Sequence, residues 1–153
     1  MKVYKIEFKQ TIPISIDKCW DFFSNPKNLK VITPSHMGFD ILEEIDDKMY
    51  AGQIIQYEVK PIFGLKMHWV TEITHVDERK YFVDEQRIGP YKFWHHKHFF
   101  EETSKGVEMK DIVHYAIPYG IIGRLIHELY IRERLVHIFS YRKQIVETIF
   151  KEL

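Results

Sequence analysis

Two alternating runs hold the residues with chemistry to offer. In Trp94-His95-His96-Lys97-His98-Phe99-Phe100, the positions Trp94, His96, His98 and Phe100 share one face of a strand. In Met109-Lys110-Asp111-Ile112-Val113-His114-Tyr115, the positions Met109, Asp111, Val113 and Tyr115 do the same. Ser104-Lys105-Gly106 between the runs has turn chemistry. A tight hairpin there sets Phe100 against Met109, His98 against Asp111, His96 against Val113 and Trp94 against Tyr115. The large apolar members mark this as the inner face. An imidazole and a carboxylate, His98 and Asp111, are therefore expected as buried cross-strand neighbours. Such a carboxylate raises the histidine pKa and fixes its tautomer.

That pair has three possible uses. It can be a satisfied polar pair that holds strand register. It can anchor the polar head of a ligand in an otherwise apolar pocket. It can do chemistry, with His98 and Asp111 as a general acid/base pair, or with His96, His98 and Asp111 around one ion. Structural zinc takes four ligands, usually with cysteine among them, and no cysteine stands near these residues in sequence. No metal and no cofactor is assigned. The tandem His95-His96 points to opposite sides of a strand and cannot chelate as a pair. In an earlier run Met67, Trp69, Thr71 and Ile73 share a face that fits the wall of the same pocket. Phe82, Asp84 and Gln86 join that face only if the connection around Gly89-Pro90 has an odd number of residues, which the sequence leaves open.

These residues need a scaffold. Residues 2 to 12 alternate, with Tyr4, Ile6, Phe8, Gln10 and Ile12 on one face, and read as a half-buried strand. Asp17 suits the N-cap of a short helix carrying Cys19, Trp20 and Phe23. Asn25-Pro26 starts a second, with Pro at the first helical position. Thr33-Pro34 ends it. From Gly38 the period becomes two, and segments near 38–46, 53–60, 65–75, 80–88, 91–102 and 107–116 read as six more strands. Their links are too short for parallel crossovers, so the strands form an antiparallel meander. Pro61-Ile62-Phe63-Gly64, between two of them, carries apolar residues near a rim and reads as a packed turn first, with a gate or a membrane-touching tip as alternatives.

The last third predicts one long helix, from about Gly120 to Lys151. Its apolar stripe includes Ile121, Leu125, Leu129, Leu135, Val136, Phe139, Val146 and Phe150. A helix of roughly 45 Å cannot bury its own stripe, so the sheet must wrap it. On a wheel at about 100° per residue, Glu128 and Arg132 fall on the face of Leu125 and Phe139. They either overhang into water or look into a wet cavity.

The whole chain sets bounds. Its 153 residues suit one domain with a real core. Twenty-two basic and 22 acidic residues leave no net charge, which argues against nucleic acid as a partner. Aromatics make up 15% of the chain, enough to fill a core or line an apolar pocket. The single cysteine, Cys19, excludes an intrachain disulfide and fits a reducing compartment. No signal-peptide run opens the sequence and no stretch approaches a membrane span. A soluble cytoplasmic protein of undetermined oligomeric state is expected.

The order of strand, two short helices, six strands and long helix resembles the START-like helix-grip superfamily (SRPBCC). The local sequence looks closest to its bacterial polyketide cyclase/dehydrase-like ligand-binding branch. The residues that carry the resemblance are Asn25-Pro26-Lys27-Asn28-Leu29, Thr33-Pro34, Trp69-Val70-Thr71-Glu72-Ile73, Phe82-Val83-Asp84-Glu85-Gln86 and Gly89-Pro90-Tyr91. They continue with the histidine run from Trp94 to Phe100, Asp111-Ile112-Val113-His114-Tyr115, Pro118 and Phe139-Ser140-Tyr141-Arg142. The resemblance implies an α+β helix-grip fold: a curved seven-stranded antiparallel sheet, two short helices and a long C-terminal helix. It also implies a cavity between sheet and helix for an apolar molecule. No catalytic motif comes with it, because this fold hosts many functions.

Together these readings predict a binder of a small hydrophobic, aromatic or lipid-like molecule. Its expected contacts are Trp69, Trp94, His96, His98, Asp111, Tyr115, Leu125, Leu129 and Arg132, around a cavity of roughly 300–1,000 Å³. A cyclase- or dehydratase-type enzyme with His98 and Asp111 as its acid/base pair is the alternative. A protein-interaction adaptor is the third class.

Overall fold

The computed structural model describes residues 1–151. Strand β1 (Tyr4–Ile12) leads into helix α1 (Ile16–Phe23) and two 3₁₀ turns, Pro26–Lys30 and Ser35–Met37. Strands β2 (Asp40–Ile41), β3 (Ile54–Ile62), β4 (Leu65–Asp77), β5 (Tyr81–Ile88), β6 (Phe93–Thr103) and β7 (Gly106–Ala116) follow. A helical run closes the chain as α2 (Gly120–Ile126), a π turn (His127–Ile131) and α3 (Arg132–Lys151). The seven strands form one antiparallel sheet in the order β1-β7-β6-β5-β4-β3-β2. The expected seven-stranded meander is there, with β1 closing it beside β7.

Two elements differ from expectation. The strand expected over 38–46 shrinks to Asp40–Ile41, because its neighbours Leu42 to Glu44 already lie at the exposed edge of the sheet. The N-cap of α1 is Ser15, whose side chain accepts from Lys18 N; Asp17 sits in the first turn and pairs with Arg79 instead. The Asn25 cap is as expected, with its side chain accepting from Lys27 N and Pro26 leading the turn.

Two clusters share the core. One joins the wide end of the sheet (Tyr57, Trp69, Trp94, Val113 and Tyr115) to Ile131, Leu135 and Phe139 of the helical run. The other joins Ile12, Phe82, Phe100, Val107 and Met109 to Cys19, Trp20 and Phe23 of α1 and to Val146 and Phe150 of α3. The β6–β7 turn depends on Gly106, which has a φ of +116°. A Cβ there would lie 2.1 Å from the carbonyl oxygen of Ile12, so only glycine lets β1 leave the sheet so close to this turn. Cys19 is fully buried, and burial pushes its thiol up to about 12. Iodoacetamide at pH 8 should therefore leave native Cys19 unmodified and label it in denaturant. Native labelling followed by mass spectrometry checks this.

The helical run corrects the expected packing face. Gly123, His127, Ile131, Leu135, Phe139, Val146 and Phe150 are buried. Ile121, Leu125, Leu129 and Val136 are exposed, Leu129 by 73%. The π turn is the cause. Winding an α-helix back from Phe139 would bring Arg132 and Glu128 inward. The π turn accommodates one extra residue, so Ile131 and His127 take the inward places. Glu128 and Arg132 then lie exposed, which settles their position in favour of water. The π turn is held by polar contacts. His127 Nδ1–H donates to Glu128 Oε1 at 3.2 Å, and its Nε2 accepts from the Tyr115 hydroxyl at 2.8 Å. Tyr4 stacks on the same imidazole at 3.6 Å. The Phe63 turn packs here too, with its ring stacked on Tyr130 and its N–H donating to the Tyr130 hydroxyl.

Candidate functional site

The site is built on three adjacent strands. The β6–β7 register pairs Phe100 with Met109, His98 with Asp111, His96 with Val113 and Trp94 with Tyr115, as the hairpin predicts. On the other side of β6, Phe82 pairs with His98 and Asp84 with His96. Counted from the last pair, Glu85 with His95, the connection 86–94 has nine residues, so the odd-length condition for β5 is met and Asp84 joins the inner face. Gln86 closes the connection by donating to Tyr91 O and accepting from Tyr91 N.

Asp84, His96, His98 and Asp111 form a closed set. His96 Nε2–H donates to Asp111 Oδ1 at 2.9 Å, and His98 Nε2–H donates to Asp84 Oδ2 at 2.7 Å. A carboxylate can only accept, so both nitrogens carry the proton. His98 Nδ1 lies 2.9 Å from Asp111 Oδ1 but off the hydrogen-bond line, so that contact acts through charge. His96 Nδ1 lies 3.4 Å from Asp84 Oδ2. The Trp94 indole donates to Asp84 Oδ1 at 3.3 Å. The two imidazoles lie 3.7 Å apart, and Phe82 stacks on His98 at 4.0 Å. His96, His98 and Asp111 are buried, and Asp84 is nearly so.

Burial and charge pull against each other here. Burial works to protonate Asp111; the Arg142 guanidinium, the hydrogen bond from His96 and the nearby charge of His98 reverse this and hold it well below the usual carboxylate range. Burial also works to protonate Asp84, and the adjacent imidazoles with the Trp94 N–H keep it low. Burial disfavours the charged form of His98, but the two carboxylates flanking it raise its pKa. His96 is held low, first by burial and then by its neighbour His98. Of the two imidazoles, His98 is therefore the one whose charged form its carboxylate neighbours favour, and His96 the one whose charged form burial disfavours.

A cavity of about 180 Å³ lies between this cluster and α3. Trp69, Thr71, Ile73, Trp94, Asp84, His96 and His98 line its sheet side, and Leu135, Ile138, Phe139 and Arg142 its helix side. It is smaller than expected because aromatic rings fill the inner face: Trp69 packs edge-on against Trp94 at 5.5 Å and against Tyr91 and Tyr57. Trp69, Trp94, His96 and His98 line it as expected. Tyr115 does not, because its hydroxyl is bound to His127 under the π turn. Leu125, Leu129 and Arg132 do not, because the π turn rotates them to the surface. Asp111 lies behind the imidazoles and lines a second cavity, of about 220 Å³, with Phe8, Gln10, Phe139 and Arg142. Asp84 and Arg142 are the charged residues that the sequence did not place in the site. The odd-length condition pointed to the first; nothing in the helix wheel singled out the second.

No protein-family model and no curated protein matches the chain. Solved structures do. A protein of Chromobacterium violaceum superposes with a TM-score of 0.72 at 13% identity, covering 96% of this chain and 97% of that one. A major latex-like protein of ginseng, Panax ginseng, reaches 0.70 at 14% identity, with 97% of each chain covered. A protein of Mycobacterium smegmatis reaches 0.68 at 15%, covering 99% of this chain and 98% of that one. The fold is the helix grip. At such identities the likeness shows the fold alone. Among the described residues, no helix is long and apolar enough to cross a membrane.

Proposed function

We propose that this helix-grip domain binds a small hydrophobic or aromatic molecule, or a lipid-like one of that size, between its sheet and α3. The observation that carries this reading is an apolar cavity with its polar groups gathered at one end. Ile55, Val59, Trp69, Ile73, Leu135 and Phe139 supply apolar wall, and Asp84, His96 and His98 supply the polar end. The indole N–H of Trp69 is buried and has no partner among the described residues. A ligand oxygen would satisfy it. The volume suits a compound of one or two rings: a cavity of roughly 150 Å³ accommodates benzene. The buried lone cysteine fits a cytoplasmic setting.

An acid/base enzyme at this pocket would act through His98 and Asp84. Asp111, on the far side of the imidazoles, would position His98 and not meet the substrate.

Titration with naphthalene-type aromatics, followed by tryptophan fluorescence, tests the binding reading. Saturable quenching is expected. Leu29→Trp, which fills the cavity from its half-buried rim, should abolish it while the fold survives. Trp69→Phe should weaken an oxygen-bearing ligand up to about tenfold, the worth of one hydrogen bond. Leu125→Ala and Leu129→Ala should bind as the parent does. Quenching that Leu29→Trp leaves unchanged would place the ligand elsewhere.

A further inference from the structure

Asp84, His96 and His98 bring one donor atom each close together at the polar end of the cavity. We propose that this cluster is a binding site for a divalent transition-metal ion of the zinc and iron(II) class, ligated by Asp84 Oδ2, His96 Nδ1 and His98 Nε2.

One ligand atom from each of the three residues lies within 4.8 Å of the other two. Asp84 Oδ2 is 2.7 Å from His98 Nε2 and 3.4 Å from His96 Nδ1. Ligands held at about 2.0–2.2 Å around a tetrahedral ion stand roughly 3.3–3.5 Å apart, so the set needs only small side-chain adjustment. Two imidazoles and one carboxylate suit zinc and iron(II) better than magnesium or calcium, which prefer oxygen throughout.

Two further features point to a cation. First, the proton on His96 Nε2, donated to Asp111, leaves Nδ1 with a bare lone pair facing a carboxylate oxygen. Two lone-pair donors 3.4 Å apart repel, and a cation between them removes the repulsion. Second, Asp111 Oδ1 lies 2.9 Å from the rear nitrogen of each imidazole, His96 Nε2 and His98 Nδ1. A carboxylate behind a ligating histidine is the usual orienting contact in metal sites, and here one carboxylate serves two. His98 Nδ1, buried and without a hydrogen bond, gains that partner when Nε2 turns to the ion and gives up its proton.

The donors sit on paired strands, His96 and His98 two apart on β6 and Asp84 across on β5. Three protein ligands leave a position open, and all three residues line the cavity. A ligand oxygen bound in that cavity would be polarised there. The inference stands apart from the binding reading, since the ion can be tested with no organic ligand present.

The experiment uses the full chain, stripped with EDTA and dialysed free of chelator, titrated with Zn²⁺ by calorimetry and with Co²⁺ by visible absorption. One equivalent of Zn²⁺ should bind, raise Tm, and compete with Co²⁺ for a site showing the intense d–d bands of four- or five-coordinate cobalt. Asp84→Asn and His96→Ala should each lose at least tenfold in Zn²⁺ affinity. Asp111→Asn should lose about 10–100-fold, as expected of an orienting carboxylate. His36→Ala, at the exposed His36–His137 neighbourhood, should bind as the parent does. If a variant fails to fold, the parent's cobalt spectrum still decides. No binding by the folded parent, octahedral-type weak bands only, or Zn²⁺ affinity unchanged in both Asp84→Asn and His96→Ala overturns the proposal. None of these results would touch the aromatic-binding reading.

Discussion

Replacing His98 with alanine will destabilise the protein by about 3–5 kcal/mol, the range for removing one partner from a buried ionic contact. His98 is 3% exposed and lies between two carboxylates, donating to Asp84 Oδ2 and facing Asp111 Oδ1. Without the imidazole, Asp84 retains only Trp94 and the more distant His96, and Asp111 retains His96 and Arg142. Both then lose charge compensation in a region burial has already desolvated. The double variant His98→Ala, Asp111→Ala should be less destabilised than the sum of its two single variants, because the second change removes a charge the first left exposed to desolvation. The same sign is expected for His98 with Asp84. Urea unfolding of the four members of each cycle measures the couplings. Zero coupling in both would mean that the imidazole neither pairs with nor shields either carboxylate.

Phe139→Ala is expected to cost about 3–5 kcal/mol, the usual range for deleting a buried phenylalanine ring. The ring stacks flat on Phe8 at 4.4 Å and meets His96 edge-on at 5.4 Å. It is also part of the wall of both cavities. Its removal does more than leave a hole. It joins the two spaces and exposes Asp111 to the one that now holds only the imidazoles and Asp84. Unfolding by urea should show a lower midpoint with an unchanged slope, and Phe139→Leu should recover a large part of the loss. A loss below about 1 kcal/mol would show that α3 does not rest on this ring.

How far the sequence revealed this site follows from the periodicities involved. A strand repeats every two residues, and a short hairpin fixes the parity of both its arms. His98 against Asp111 was therefore legible from the turn at Ser104-Lys105. Asp84 was legible only as a condition, because parity passes through the connection at Gly89-Pro90, where Gln86 folds over the Tyr91 backbone. Bulges on β4 at Val70–Thr71 and Ile73–His75 would have defeated a reading from that side. The C-terminal helix was legible in extent and misread in azimuth. One extra residue turns a helix face by about 100°, and no side-chain pattern announces where it is taken up. Leu125 and Leu129 made an inward stripe plausible. What won was the burial of Ile131 and the bonding of His127 to Tyr115, together with the saving of two charges, Glu128 and Arg132, from desolvation.

The π turn also divides the helical run in its timescales of opening. Downstream of it, α3 is fastened along its length by Leu135, Phe139, Val146 and Phe150. Upstream, α2 buries only Gly123, whose missing side chain lets the Pro118 carbonyl approach. Amides of Gly120–Ile126 will therefore exchange with solvent through local fraying, at a small fraction of the global unfolding free energy, while those of α3 wait for the whole sheet to open. The wall of the cavity belongs to the slow part. A ligand seated against Leu135 and Phe139 would be held by the segment that opens last, and the seven residues before the π turn could come and go many times without releasing it.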